Sequence, residues 1–307
     1  MTTDEYLSRA ARKLEQAGIG TARLDALVLL EDVTRISRAQ LLAEPSMEIK
    51  PQQTAKLEKL LKRRARHEPL AYIRGMTEFY GREFVLTPAV LEPRPESETM
   101  IELLKTLPYF GHQQPKSHPS EQRPGTDQPS RHTDSAPSPS QCHKTSPPTR
   151  KVTIADVGAG SGALGITAQL ELPDTRVDLL EIDKKALLVA KENVDKFTLN
   201  INTIESDLLS ASRRHYDILL CNLPYVPDSH TINQAASHEP RIAIFGGPDG
   251  LDLYRMLFEQ ISNLSGKPLY ILTEALPPQH TLLKKIAQGH GYNLMQSDDF
   301  IQVFTSP

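Results

Sequence analysis

The chain has 307 residues, 24% of them charged and 38% apolar, and a formal net charge of −3. These proportions suit a globular protein long enough for two domains, and they exclude a whole-chain basic field for nucleic acid, though not a local patch. Two cysteines, Cys142 and Cys221, exclude a disulfide framework, and no run approaches the ~18 consecutive apolar residues of a membrane span. The opening MTTDEYLSRAARKLEQ is charged and amphipathic, unlike a signal peptide, so a cytoplasmic protein is expected.

Residues 1–68 are expected to form a small helical bundle. DEYLSRAARKLEQAG sets Tyr6, Leu7, Ala10, Ala11 and Leu14 at helical spacing, with Gly18 to end the helix. RLDALVLLEDVTRI is a second helix, and Ser37 can cap a third over RAQLLAE. KPQQTAKLEKLLKRRARHE is a fourth, with Pro51 in its first turn. A bundle of this kind offers no chemistry of its own; recognition of a partner is the role left to it. Residues 69–108 change character. LAYIRGMTEFYGREFVLTP predicts two short strands around a tight Tyr80-Gly81 turn. Pro93-Arg94-Pro95 cannot lie inside a helix, and Glu96, Ser97 and Glu98 then open one with negative charge at its N-terminus.

Residues 109–150 are rich in Pro, Ser, Gln and His and almost devoid of apolar side chains, so a disordered linker is expected. Its His112, His118, His132, Cys142 and His143 lack the short paired spacings of a structural zinc site, and no metal is expected.

From residue 151 to 307 strands and helices alternate. VTIADVG, RVDLLEI, INTIES, YDILLCN and PLYILTEA read as strands, with helices ALGITAQLEL, KKALLVAKENVDKF, LDLYRMLFEQISNL and LLKKIAQG between or after them. GYNLMQS and FIQVFTS close the chain. The alternation predicts an α/β fold with an open, mostly parallel, doubly wound sheet, whose ligands bind beyond the carboxyl ends of the strands.

Three of those ends carry chemistry. In ADVGAGSGALGI a strand runs into Gly158, Gly160 and Gly162 and then a helix, allowing a tight turn and close approach to bare backbone. The spacing is neither that of a dinucleotide fingerprint nor that of a triphosphate loop. Glu181, 19 residues beyond Gly162, stands where an acid can accept from ribose hydroxyls. Asp183 is the rival, with helix capping as its simpler role. At the third end, Asp207 can accept from an adenine amino group with Leu208 flat against the ring. An adenosine ligand without phosphates points to S-adenosylmethionine.

The fourth end is CNLPYVP, residues 221–227, where two prolines stiffen a polar cap on an apolar strand. The chain here resembles the HemK/PrmC-type protein N(5)-glutamine methyltransferases. The resemblance rests on RLDALVLL, HEPLAYIRGMTEFYGREFVL, LEPRPESE, DVGAGSGALGI, CNLPYVP and EPRIAIFGGPDGLDLYR, and covers nearly everything except 109–150. It implies a Rossmann-like class I methyltransferase domain with a seven-stranded, mostly parallel sheet behind an N-terminal helical domain that recognises the substrate protein. The implied reaction methylates the glutamine of the Gly-Gly-Gln loop of peptide chain release factors, with S-adenosylmethionine as cofactor. The implied cofactor set is Asp156, Gly158, Ala159, Gly160, Ser161, Gly162, Glu181, Asp207, Leu208 and Asn222. Asn222, Leu223, Pro224 and Tyr225 are expected to hold the glutamine. Glu181 stands where the family usually has Asp, and Leu223 replaces the usual first proline of Asn-Pro-Pro-Tyr. Asn-Leu-Pro-Tyr is typical of rRNA adenine dimethyltransferases, so an rRNA or DNA adenine N6-methyltransferase is the alternative, and an inactive binding module a third. The release factor is the expected partner, with ribosome association a further expectation; no membrane and no direct DNA contact are expected, and a monomer is favoured.

The catalytic residues expected are Asn222, Pro224 and Tyr225. An amide nitrogen is a poor nucleophile that no side chain readily deprotonates at neutral pH. The Asn222 side-chain oxygen and the Pro224 carbonyl can accept its two hydrogens and favour the positive charge of attack, while Tyr225 fixes the amide plane. Nitrogen, methyl carbon and sulfur must then line up with reacting atoms ~3–3.5 Å apart. Cys221 is expected in the core. Glu239 and Arg241 are expected either to shape the substrate channel or to pair with each other, and Arg94 to help cover the site.

Overall fold

A computed structural model describes residues 1–110 and 150–307. The body of the expected linker, with His112, His118, His132, Cys142 and His143, lies outside the described residues.

The N-terminal bundle comprises α1 (Thr3–Gln16), α2 (Ala22–Thr34), α3 (Arg38–Ala43) and α4 (Pro51–Arg64). α1 opens with a capping box: the Thr2 hydroxyl accepts from Glu5 N–H, and the Glu5 carboxylate accepts from Thr2 N–H at 2.8 Å. Its apolar stripe, Tyr6, Leu7, Ala10 and Leu14, is buried against Ala26, Leu29 and Leu30 of α2 and Leu57 and Leu61 of α4. Ser37 caps α3, accepting from Gln40 N–H.

The segment LAYIR is not the first strand of a hairpin. It forms a one-turn helix, α5 (Leu70–Arg74), ended by Gly75 at φ +77°. A strand would put Ala71 and Ile73 on one face. Here Ile73 joins the bundle core, while Ala71 packs with Tyr72, Leu86, Val90, Ala186 and Val189, which requires a helical turn. The hairpin is shorter: β1 (Met76–Phe79) and β2 (Arg82–Val85) pair antiparallel around Tyr80 (φ 51°) and Gly81 (φ 67°). Positive φ at both central residues matches the right-handed strand twist. The next helix also starts later than Glu96. Pro95–Ser97 is a 3-10 turn, and α6 (Glu98–Lys105) follows it.

The remaining strands form one sheet: β3 (Thr153–Val157), β4 (Arg176–Glu181), β5 (Asn202–Glu205), β6 (Ile218–Cys221), β7 (Tyr270–Glu274), β8 (Asn293–Asp298) and β9 (Ile301–Thr305). Their order is β5-β4-β3-β6-β7-β9-β8, parallel except where β9 pairs antiparallel with both neighbours. The helices are α7 (Ala163–Glu171), α8 (Lys184–Lys196), α9 (Asp252–Ser262) and α10 (His280–Gly289). Alternate strand residues face opposite layers. Ile154, Leu220 and Leu272 pack on Met100, Leu104, Leu164 and Val194. Ala155, Leu219 and Ile271 pack on Tyr254, Leu257, Phe258 and Leu283. The chain reverses its direction of travel across the sheet between β3 and β6, which opens a crevice beyond their carboxyl ends. Among the described residues no helix is long and apolar enough to cross a membrane.

Candidate active site

A cavity of about 190 Å³ lies beyond the ends of β3, β4, β5 and β6, lined by the glycine loop, Glu181, Asp207, Leu208 and Asn222. Its other wall comes from Phe79, Ala89, Val90, Leu91, Pro93 and Ser97, whose contribution composition alone did not foretell.

Gly158, Gly160 and Gly162 all adopt positive φ, at 73°, 55° and 79°. A Cβ at Gly158 would sit 3.0 Å from the Leu223 side chain, whereas Gly160 faces open space. Asp156 is buried, and its Oδ2 accepts from Gly165 N–H at 2.8 Å, tying β3 to the first turn of α7. Burial pushes its carboxyl up to about 7, against the opposing pull of that N–H and with reinforcement from nearby Glu181. Ala159 N–H donates to the Leu180 carbonyl, and the buried Ser161 presents its carbonyl to Asn193 Nδ2 at 2.9 Å.

Glu181 ends β4 almost fully buried, and its two oxygens accept from Gly160 N–H and Asp183 N–H, both at 2.9 Å. Asp183 caps α8, accepting from Lys185 N–H at 2.7 Å. Asp183 thus takes the capping role the sequence offered it, while Glu181 holds the glycine loop, a contact that the ribose expectation did not include. Asp207 lies exposed at the rim, and its carboxylate has no protein partner among the described residues. Leu208 takes φ 52°, held by Ser206 Oγ donating to its carbonyl at 2.7 Å.

At the fourth strand end, Asn222 Nδ2 donates to Ser97 Oγ at 3.0 Å. Ser97 Oγ donates to Glu274 Oε2 at 2.6 Å, and Tyr225 Oη donates to Glu274 Oε1 at 3.0 Å. Glu274 ends β7 with no exposure at all. Burial raises its carboxyl above the usual range, and the Ser97 and Tyr225 hydroxyls oppose that rise. Burial and the Glu274 charge likewise push the Tyr225 phenol up. The Leu223 side chain is buried in the core against Gly158. The Pro224 carbonyl is turned toward Gly246, where a Cβ would overlap it, and it accepts no hydrogen bond among the described residues. Gln279 Nε2 bridges the Tyr225 and Asp249 carbonyls at 2.7 Å each, pinning the tetrad to the 246–250 loop. Cys221 is fully buried with its thiol pushed up by burial, so it belongs to the core.

A second cavity of about 150 Å³ adjoins the first across Asn222, Leu223 and Pro224, lined also by Arg94, Ile232, Glu239 and Glu274. Glu239 and Arg241 do not pair. Glu239 binds Arg94 Nη2 at 2.6 Å, while the Arg241 guanidinium lies 4.2 Å from the Phe245 ring centroid. Arg94 therefore holds the 240 loop over the site. Ser97, Glu274 and Gln279 are the polar residues that motif reading missed. The signal for Glu274 was present: an acid closing an apolar strand, the pattern that singled out Glu181.

The sheet order and the glycine-loop cavity define a class I methyltransferase fold. Among solved structures, the hMettl16 catalytic domain in complex with MAT2A 3'UTR hairpin 1 shares that fold, with a TM-score of 0.52 at 12% identity, covering 91% of this chain and 90% of that one. Residues 5–75 match the PrmC N-terminal domain family and residues 143–239 the Methyltransferase small domain family. The release factor glutamine methyltransferase of Coxiella burnetii is 31% identical over 275 residues, covering 89% of this chain and 85% of its own. That of Moorella thermoacetica is 31% identical over 297 residues, covering 95% and 91%. This chain belongs to the release factor glutamine methyltransferase family. It also matches 51% of the length of a Rickettsia bellii bifunctional methyltransferase at 31% identity, so it spans about half of that relative.

Proposed function

We propose that the chain transfers a methyl group from S-adenosylmethionine to the side-chain nitrogen of the glutamine in the Gly-Gly-Gln loop of a peptide chain release factor. The observation that carries this reading is the polarity of Asn222. Its Nδ2 is committed to Ser97, which leaves Oδ1 as the atom available to the cavity. A hydrogen-bond acceptor suits an amide or amino group that must present N–H and then bear positive charge.

The cavity fits the proposed donor. It is lined by Asp156, Glu181, Asp183 and Asp207, with no lysine or arginine among its described lining residues. Such a wall disfavours a phosphate and favours a cationic ligand. Bare backbone at Gly158 and Gly160 would admit the ligand closely, Glu181 would take the ribose hydroxyls, and Asp207 with Leu208 the adenine. When bound, the donor supplies a methyl carbon already activated by the sulfonium. The chain's own residues then orient the acceptor. Asn222 Oδ1 accepts one N–H of the glutamine. A carbonyl of the Leu223–Pro224 pair takes the other; the Pro224 oxygen faces Gly246, and Leu223 supplies the neighbouring acceptor without a partner among the described residues. Tyr225, steadied by Glu274, packs on the amide plane. Transfer would leave the C–S electron pair on the donor's sulfur, and the methylated nitrogen would shed one proton to water. We assign residues 1–68 to holding the body of the release factor.

Incubation with tritiated S-adenosylmethionine and either a release factor or ribosomal RNA tests the reading. Label on the glutamine of the release factor is expected. Label in RNA alone would replace the proposal with the adenine reading, and label in neither would leave a binding module.

A further inference from the structure

We propose that Glu274 is a positioning residue that fixes the polarity of the Asn222 amide through Ser97. The inference rests on the glutamine-methylation reading and extends it to a residue on a different strand.

A serine hydroxyl carries one proton. Glu274, as a carboxylate, can only accept, so Ser97 Oγ must spend its proton on Oε2 at 2.6 Å. Ser97 can then only accept from Asn222, 3.0 Å away, and the Asn222 atom facing it must be the amino nitrogen. Oδ1 is thereby turned to the substrate. The chain of donors has one direction, and the buried charge at its far end sets it. Were Glu274 neutral, its own O–H could donate to Ser97, and Ser97 to Oδ1. The amide would turn over and aim its NH2 at the NH2 of the substrate, donor against donor. Burial makes this control tight, because Glu274 is wholly and Ser97 almost wholly shielded from water that could otherwise compensate.

The rest of the setting supports a rigid anchor. Tyr254 Oη, from α9, donates its one proton to the backbone carbonyl of Glu274 at 2.5 Å and lies 3.0 Å from that of Cys221, which sets the ends of β7 and β6 side by side. Of the titratable groups around Glu274, Glu96 of the 95–97 turn favours its neutral form, Tyr225 bonds its carboxylate, Tyr254 bonds its backbone carbonyl, and Arg94 and Glu239 share the second cavity with it. The charged state thus depends on the Ser97, Tyr225 and Asn222 contacts that it in turn orders.

The test is a set of variants assayed for kcat, KM for the release factor, donor affinity and thermal stability. Glu274→Gln can donate as well as accept, so it frees the amide to adopt both orientations. Its kcat is expected to fall about 10–100-fold, the range typical of outer partners that orient a reacting group. Both binding constants should change less than about twofold. Its melting temperature should not fall, since an isosteric neutral group replaces a buried charge. Ser97→Ala should lower kcat similarly, and the two together should cost no more than the larger single effect. In an Asn222→Ala background Glu274→Gln should add nothing. The acid limb of the wild-type kcat profile, where Glu274 takes up a proton, should vanish in Glu274→Gln. Wild-type kcat in Glu274→Gln, or an undiminished Glu274→Gln effect in the Asn222→Ala background, would overturn the inference. Full activity of Asn222→Ala alone would instead overturn the reading beneath it, which keeps the two failures apart.

Discussion

The two halves of the active-site rim are built differently. The half above β3, β4 and β5 is made of backbone turns and acids close in sequence: Gly160 to Glu181 spans 21 residues. The half above β6 and β7 is made of side chains from distant segments: Asn222 meets Ser97 across 125 residues, and Ser97 meets Glu274 across 177. The first half is a cradle, tolerant of small polar changes because its backbone makes the shape. The second is a wired polar network, where one wrong donor reverses the rest. Donor binding should therefore fail gradually and transfer abruptly.

The largest expected effect comes from the wired half. Asn222→Ala should lower kcat about 10²–10³-fold, the scale of losing one preorganised partner of developing charge. Donor affinity by calorimetry should stay within about twofold. A parallel collapse of donor affinity would mean that the two halves are one unit. Next comes Gly246→Ala. Its Cβ would overlap the backbone oxygens of Pro224 and Gly250, neither of which can move alone. Displacing the tetrad by an ångström should cost about 10² in kcat/KM, and because only backbone can yield, the melting temperature should fall as well.

The cradle should respond in binding. The Asp207 carboxylate has no protein partner among the described residues, so Asp207→Ala removes only a ligand contact. A lost hydrogen bond of about 1 kcal/mol predicts roughly five- to tenfold weaker donor binding. kcat at saturating donor should be unchanged, and a kcat defect there would blur the division between the halves.

Asp156 gives the cradle a pH signature. Its carboxyl is raised from 3.8 to about 7, chiefly by burial. The folded chain thus holds a proton that the unfolded chain releases. The stability this contributes is full below pH 3.8 and is lost as pH rises through about 7. Asp156→Asn, which keeps an acceptor for Gly165 N–H, should flatten the dependence of melting temperature on pH across that window. An unchanged slope would reassign it to another group.

This division also explains what could be read in the residues alone. Gly158, Gly160, Gly162 and Glu181 announce themselves because strand, turn and acid are consecutive and their geometry is local. The doubly wound sheet was legible for the same reason, in alternating apolar runs. LAYIR was misread as strand because five residues carry too little periodicity. Only the packing of Ile73 into one core and Ala71 into another selects the helical turn. Ser97 and Glu274 look, locally, like a helix-opening serine and the last residue of a buried strand. Nothing short of the fold brings them within 2.6 Å. Of the two roles open to Glu239 and Arg241, only the mutual pair is excluded: Arg94 from another segment binds Glu239, which lines the second cavity.

The smallest effect makes the finest cut, between two acids two residues apart. Glu181 binds Gly160 N–H and Asp183 N–H, so it holds the glycine loop against the end of β4. Asp183 binds Lys185 N–H in the first turn of α8 and serves that helix. Asp183→Ala should therefore cost about 1 kcal/mol of stability, the usual worth of an N-cap. Donor affinity should fall by less than about threefold, the small residue of losing one negative charge from a wall that favours a cation. Glu181→Ala should do the reverse in emphasis, weakening donor binding well beyond Asp183→Ala because it loses a ribose acceptor and loosens the loop together. Measuring both constants for both variants separates a cap from a cradle wall. Equal binding defects would mean that the ligand reads the cavity's charge and not the placement of its acids.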